Sequence, residues 1–78
     1  MKIQDLIGRE VLDSDAKTIG KVIDLDFDMH QGVITRIIVK AGALKQYEIA
    51  FEEITAIGDR VILKVSESQL KRKTVIGL

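Results

Sequence analysis

Between Lys21 and Asp28 the chain alternates cleanly: Ile23, Leu25 and Phe27 are apolar, and Asp24, Asp26 and Asp28 are acidic. A period of two puts successive side chains on opposite faces of a strand, so this segment predicts a β-strand with one apolar and one acidic face. Val33 to Lys40 reads as the next strand, after a turn at Met29-His30-Gln31-Gly32. Residues opposite each other in an antiparallel pair share a face. For the three Asp to lie beside Arg36 and Lys40, paired residue numbers must sum to an even value. The loop then holds three or five residues, with Gly32 supplying a positive φ. The predicted inner face is Ile23, Leu25, Phe27, Val33, Thr35, Ile37 and Val39. The outer face carries the acids, Arg36 and Lys40, and also Val22, Ile34 and Ile38.

The remaining segments are short and punctuated by Gly and Asp. Ile3 to Ile7 is a lead-in broken by Gly8, and Glu10 to Leu12 is a brief strand followed by a turn at Asp13 to Lys17. Lys45 to Phe51 predicts a strand with Tyr47, Ile49 and Phe51 on one face. Ile54 to Ile57 and Val61 to Val65 flank a Gly58-Asp59 turn, with Val61, Leu63 and Val65 inward and Ile62 outward. Six short strands without a helical period predict an all-β fold, a six-stranded meander closed into a small barrel that removes its exposed edges. Ser66-Glu67-Ser68-Gln69 fits a capping box and predicts a turn or two of helix through Lys73. The barrel takes residues 1–66. Residues 67–78 form a helical turn and an apolar tail packing on the barrel or on a partner.

Composition narrows the class. Of 78 residues, 19 are Ile or Val, which favours strands because β-branched side chains pack well on a pleated surface. A domain of this size has little core to spare and often relies on a partner. With no Cys it has neither disulfides nor thiolate metal sites. Twelve basic and twelve acidic residues balance, which argues against a dedicated nucleic-acid binder. No apolar run approaches the roughly 20 residues of a membrane helix, and Asp5, Arg9 and Glu10 come too early for a secretory leader. The expected location is the cytoplasm, without membrane insertion.

Several ordered motifs resemble a known family. Leu6-Ile7-Gly8-Arg9-Glu10-Val11, Asp15, Ile19-Gly20-Lys21-Val22-Ile23-Asp24, Phe27-Asp28 and Gly32-Val33-Ile34 are similar to the PRC-barrel domain. Glu48-Ile49-Ala50-Phe51-Glu52-Glu53-Ile54 and Ile57-Gly58-Asp59 resemble its second half. Ala16 stands where the family often has Gly, which implies a turn that avoids positive φ, and Ala50 stands where Pro is common. The resemblance implies a six-stranded β-barrel that is not an enzyme and works through protein–protein contact. Free-standing versions are common in archaea, some of them adaptors in cell division, and another branch belongs to ribosome maturation. The family has no catalytic or cofactor residues to carry over.

The residues themselves offer few chemical sites. The Asp triplet opens like a calcium loop, but Met29 takes the required Gly position and Thr35 the bidentate Glu position. Those carboxylates read as a solvated face paired with Arg36 and Lys40. His30 lies in a polar turn with no second His or Cys to complete a metal site. Ser14, Ser66 and Ser68 are turn or cap residues without an oriented base. Neither a catalytic site nor a cofactor is expected. Lys71, Arg72 and Lys73 form the one charge run, a possible contact for RNA or an acidic partner, although cations also complement a helix C-terminus. The surplus outer-face residues Val22, Ile34, Ile38 and Ile62 must meet the tail, through Leu70, Val75, Ile76 and Leu78, or another molecule. Val22, Ile34, Ile38, Ile62, Val75 and Ile76 thus form the expected patch for a homodimer or a protein partner.

Overall fold

The structure is a computed structural model that describes residues 1–73, with side chains as far as Lys71. Its elements in chain order are α1 (Ile3–Leu6), β1 (Glu10–Leu12), β2 (Thr18–Asp28), β3 (Val33–Ala41), β4 (Lys45–Ala50), β5 (Ile54–Ile57), β6 (Val61–Leu63) and α2 (Glu67–Lys73). The six strands form one mixed sheet in the order β4-β3-β2-β1-β6-β5, curled into a half-barrel with a short C-terminal helix. The all-β expectation holds in this form, with one difference in closure. Strands β4 and β5 remain the two edges. A 3-10 turn over Phe51–Glu53 carries the chain directly from one edge to the other, in place of a ladder between them. The simple meander is also interrupted, because β6 joins β1 in parallel through Val11↔Val61 and Leu12↔Ile62.

The register of β2 and β3 explains where the predicted faces fail. At the centre the pairs are Asp24↔Ile38, Leu25↔Ile37 and Asp26↔Arg36, all of the expected even parity. On either side the parity is odd, at Val22↔Val39 and at Phe27↔Ile34 and Asp28↔Val33. Ile23 is an extra residue in β2 and Thr35 an extra residue in β3. Each bulge slips the pairing by one position and exchanges the two faces. Val22, expected outside, therefore lies fully buried against Val39, whereas Ile23, Val33 and Thr35, expected inside, are exposed; Phe27 keeps the inner face of Leu25 but is half exposed. The two slips cancel, and the loop becomes four residues, Met29 to Gly32, not three or five. Gly32 does take a positive φ of 70°. Its N–H donates to the Asp28 carbonyl at 2.7 Å, while His30 and Gln31 donate backbone N–H groups to the Asp28 carboxylate at 2.9 and 3.2 Å.

The core lies in the concave side of the sheet. Tyr47 and Ile49 of β4 sit opposite Val39 and Ile37 of β3, and Val61, Leu63 and Val65 point inward as their alternation predicts. Burying each such side chain contributes on the order of 1.5–3 kcal/mol. Phe51 departs from its expected face: β4 ends at Ala50, and Phe51 opens the 3-10 turn with 37% of its surface exposed. Leu6 and Leu70, from the two short helices, join the same cluster.

Ala16 also corrects an expectation. It adopts φ 64°, the left-handed region its Cβ disfavours. The turn holds it there: Ala16 N–H donates to the Asp13 carbonyl at 3.0 Å, and the Asp13 side chain collects the N–H groups of Asp15 and Lys17. The predicted capping box is present at α2, where Gln69 N–H donates to Ser66 Oγ at 3.3 Å and Ser66 N–H to Gln69 Oε1 at 2.8 Å.

Candidate interaction surface

The expected patch of Val22, Ile34, Ile38 and Ile62 does not assemble. Val22 belongs to the core for the register reason given above. Ile38 is half-buried on the outer face, between Asp24 and Glu48. Ile62 is half-buried beside Leu12 and Ala56, with two strands between it and β3. Val75 and Ile76 lie outside the described residues. Of the cationic run, Lys71 is exposed on α2, and the side chains of Arg72 and Lys73 are also outside the described set.

Ile34 marks a different surface. By alternation Phe27 lies on the core-facing side of β2 with Leu25, and Ile34 is its cross-strand partner. There Ile34 lines a groove of about 160 Å³ with Met1, Lys2, Ile3, Leu6, Phe51 and Ile57. A second groove of about 310 Å³ adjoins it, sharing Ile34 and Phe51 and continuing along Val33, Thr35 and Glu52. The core thus runs out into an open apolar end. Met1, Ile3, Phe27, Val33 and Phe51 are 73%, 52%, 50%, 45% and 37% exposed. Two of the chain's three aromatic side chains, Phe27 and Phe51, lie here and remain partly exposed. Sequence reasoning missed this surface because it joins α1, the end of β2–β3 and the 3-10 turn, three segments with no common periodicity.

The outer face carries a charge network around Arg36, and Arg36 and Glu48 also line a groove of about 280 Å³ with Ile49, Ala50, Glu53, Val65 and Leu70. Arg36 holds Asp26 at 3.0 Å and Glu48 at 2.8 Å, so the expected Asp–Arg pairing is formed at this one position. Asp24 accepts the Leu25 N–H and Asp28 caps its turn, which disperses the triplet. Lys40 stands opposite Lys21, not beside an acid. Such exposed pairs contribute at most about 1 kcal/mol each. Arg60 bridges to Glu10 at 2.9 Å, and Arg9 donates to the carbonyls of Asp5, at 2.7 Å, and Gly58, tying α1 to the β5–β6 turn. Among the described residues, no three His, Cys, Asp or Glu side chains are grouped to hold a metal ion.

Two buried polar groups lie near the start of α2. Asp13 is 1% exposed, and its carboxylate accepts N–H groups from Asp15 and Lys17 at 2.9 Å and from Glu67 at 2.8 Å. Burial pushes this carboxyl up, but the hydrogen bonds from Lys17, Glu67 and Asp15 and the Lys17 charge together hold it below its ordinary value. The Tyr47 hydroxyl is buried with no hydrogen-bond partner among the described residues. Burial and the negative charge of Glu67 push its ionisation upward. An unpaired buried hydroxyl costs about 1–3 kcal/mol. Tyr47→Phe is therefore expected to raise stability by about 1 kcal/mol, equivalent to roughly 5 °C in Tm. Thermal unfolding followed by circular dichroism measures it, and a loss of stability would reveal a partner for the hydroxyl.

No helix among the described residues is long and apolar enough to cross a membrane. Comparison with curated proteins returns no match. The profile of the PRC-barrel domain matches residues 1–70, from α1 through the buried Leu70 of α2. Domains of that kind are generally non-catalytic modules of the protein-interaction or adaptor type. With this match over nearly all of the described fold, the chain belongs to the PRC-barrel domain family.

Proposed function

We propose that this chain is a non-enzymatic adaptor that self-associates and engages a protein partner in a cytoplasmic assembly such as the cell-division apparatus. The observation that supports the reading is the open apolar end. A domain with so little core leaves Phe27, Phe51 and Ile3 exposed among the described residues, with Ile34 and Phe51 lining an apolar groove, and exposed apolar patches commonly mark interaction sites. The outer face, where Arg36 pairs with Asp26 and Glu48, carries charges rather than a comparable apolar anchor.

Affinity capture from a native lysate, with one arm treated with nuclease, tests the reading. The expected result is a small set of proteins retained in both arms. Ribosomal particles that disappear with nuclease would instead favour a role in ribosome maturation, with exposed Lys71 as a starting contact for RNA. Recovery of no protein above background would contradict the adaptor reading.

A further inference from the structure

We propose that residues 74–78, Thr74-Val75-Ile76-Gly77-Leu78, fill the groove lined by Ile49 and Leu70 and add a seventh strand along the free edge of β4. That groove, of about 280 Å³, touches Glu48, Ile49 and Ala50, three consecutive residues of β4. Successive side chains of a strand point to opposite faces, so a groove that meets all three runs along the strand's edge and not over one face. Leu70 of α2 and Val65 line it too. β4 has one ladder, to β3, and among the described residues no backbone hydrogen bond from a turn, loop or helix end reaches it. Every second residue of an antiparallel edge strand directs its N–H and C=O away from its neighbour. Such groups are a template for a further strand.

The course of the chain selects the occupant. Lys73, the last residue of α2, is three residues past Leu70, about 4.5 Å along the helix axis, so the segment that follows starts within a turn of the groove. Five extended residues reach about 17 Å, against the roughly 10 Å taken up by three strand residues. Thr74, Val75 and Ile76 are β-branched and Gly77 is a poor helix former, which suits a strand better than a continued helix. Alternation places Ile76 and Leu78 on one face and Val75 and Gly77 on the other. The first face is the one that matches Ile49, Val65 and Leu70. A tethered segment also acts at an effective concentration on the order of millimolar, which a free peptide must exceed. This pairing closes the β4 edge and leaves the surface at Ile34 and Phe51 open, so it stands or falls apart from the adaptor reading.

Backbone amide hydrogen exchange of the full chain, read residue by residue by NMR, tests the pairing. In the wild type, the β4 N–H groups directed away from β3 are expected to be protected at least about tenfold over open-chain rates. Ile76→Asp should abolish that protection while the N–H groups bonded to β3 stay protected, which shows that the sheet is intact. Val75→Asp, on the opposite face, should keep most of it. Methyl cross-relaxation is expected between Ile76 and Ile49 or Leu70. Outward β4 groups that exchange at open-chain rates in the wild type would overturn the proposal and leave the edge to another molecule. So would equal effects of the two substitutions, or Ile76 methyl groups found against Ile34 or Phe51. Protection that fades on dilution from about 1 mM to 10 μM would overturn it as well, because a second copy would then supply the strand.

Discussion

Gly20→Ala is expected to destabilise the fold by about 3 kcal/mol or more, lowering Tm by roughly 15 °C, although it adds one methyl group. Gly20 lies in β2 opposite Val11, where the strand passes from its pairing with β1 to its pairing with β3. A Cβ at this position would press directly on the Lys40 carbonyl oxygen, 2.8 Å from the carbonyl carbon and 3.1 Å from Ala41 Cα. These are backbone atoms of a strand that also holds β4, so they cannot swing aside as the end of a side chain would. A glycine inside a strand commonly marks such a close approach. Gly58→Ala is the control: nothing lies within 4 Å of its Cβ position and its φ is not in the left-handed range, so its Tm should hardly move. Thermal melts of the two variants decide the point, and equal effects would contradict it.

Asp13→Ala is the second large effect, an expected loss of about 2–4 kcal/mol at neutral pH. The substitution leaves the N–H groups of Asp15, Lys17 and Glu67 without the acceptor they share. It also cuts the polar tie between the β1–β2 turn and the start of α2. The carboxyl pKa is lowered in the folded state, so its contribution is fully present above the unfolded value near 3.8. That contribution fades as pH falls below 3.8 through the lower folded value. Urea titrations should therefore show a gap between wild type and Asp13→Ala that is constant from pH 5 to 8 and shrinks at about pH 3. A gap that persists undiminished in acid would mean that the carboxylate is not the group at work.

What the sequence revealed divides along a physical line. Local and single-face features were legible: the Ser66–Gln69 capping box, the inward set Val61, Leu63 and Val65, the positive φ of Gly32 and the Asp26–Arg36 pair. Each needs only a short stretch of chain or one uninterrupted register. The faces of β2 and β3 were misread because the bulges at Ile23 and Thr35 leave the alternation of residue types intact while they shift its pairing. Placing Val22 outside followed from that alone. Asp13 looked like an ordinary turn residue because one of its partners, Glu67, is 54 positions away. The open end was hidden for the same reason, since Ile3, Ile34 and Phe51 converge only after the sheet has curled.

The Asp13 latch and the open end divide the molecule's tasks. Beneath α2, the Asp13 carboxylate and Leu70 hold the fold together. Around Ile34 and Phe51 apolar groups remain exposed, and the proposed function assigns them to self-association. Amide chemical shifts recorded from about 10 μM to 1 mM test that assignment most directly. The account predicts concentration-dependent shifts concentrated at Ile3, Phe27, Val33, Ile34, Phe51 and Glu52, with Asp24, Ile38 and Glu48 of the outer face unmoved. Shifts centred on the outer face, or none over the whole range, would contradict it.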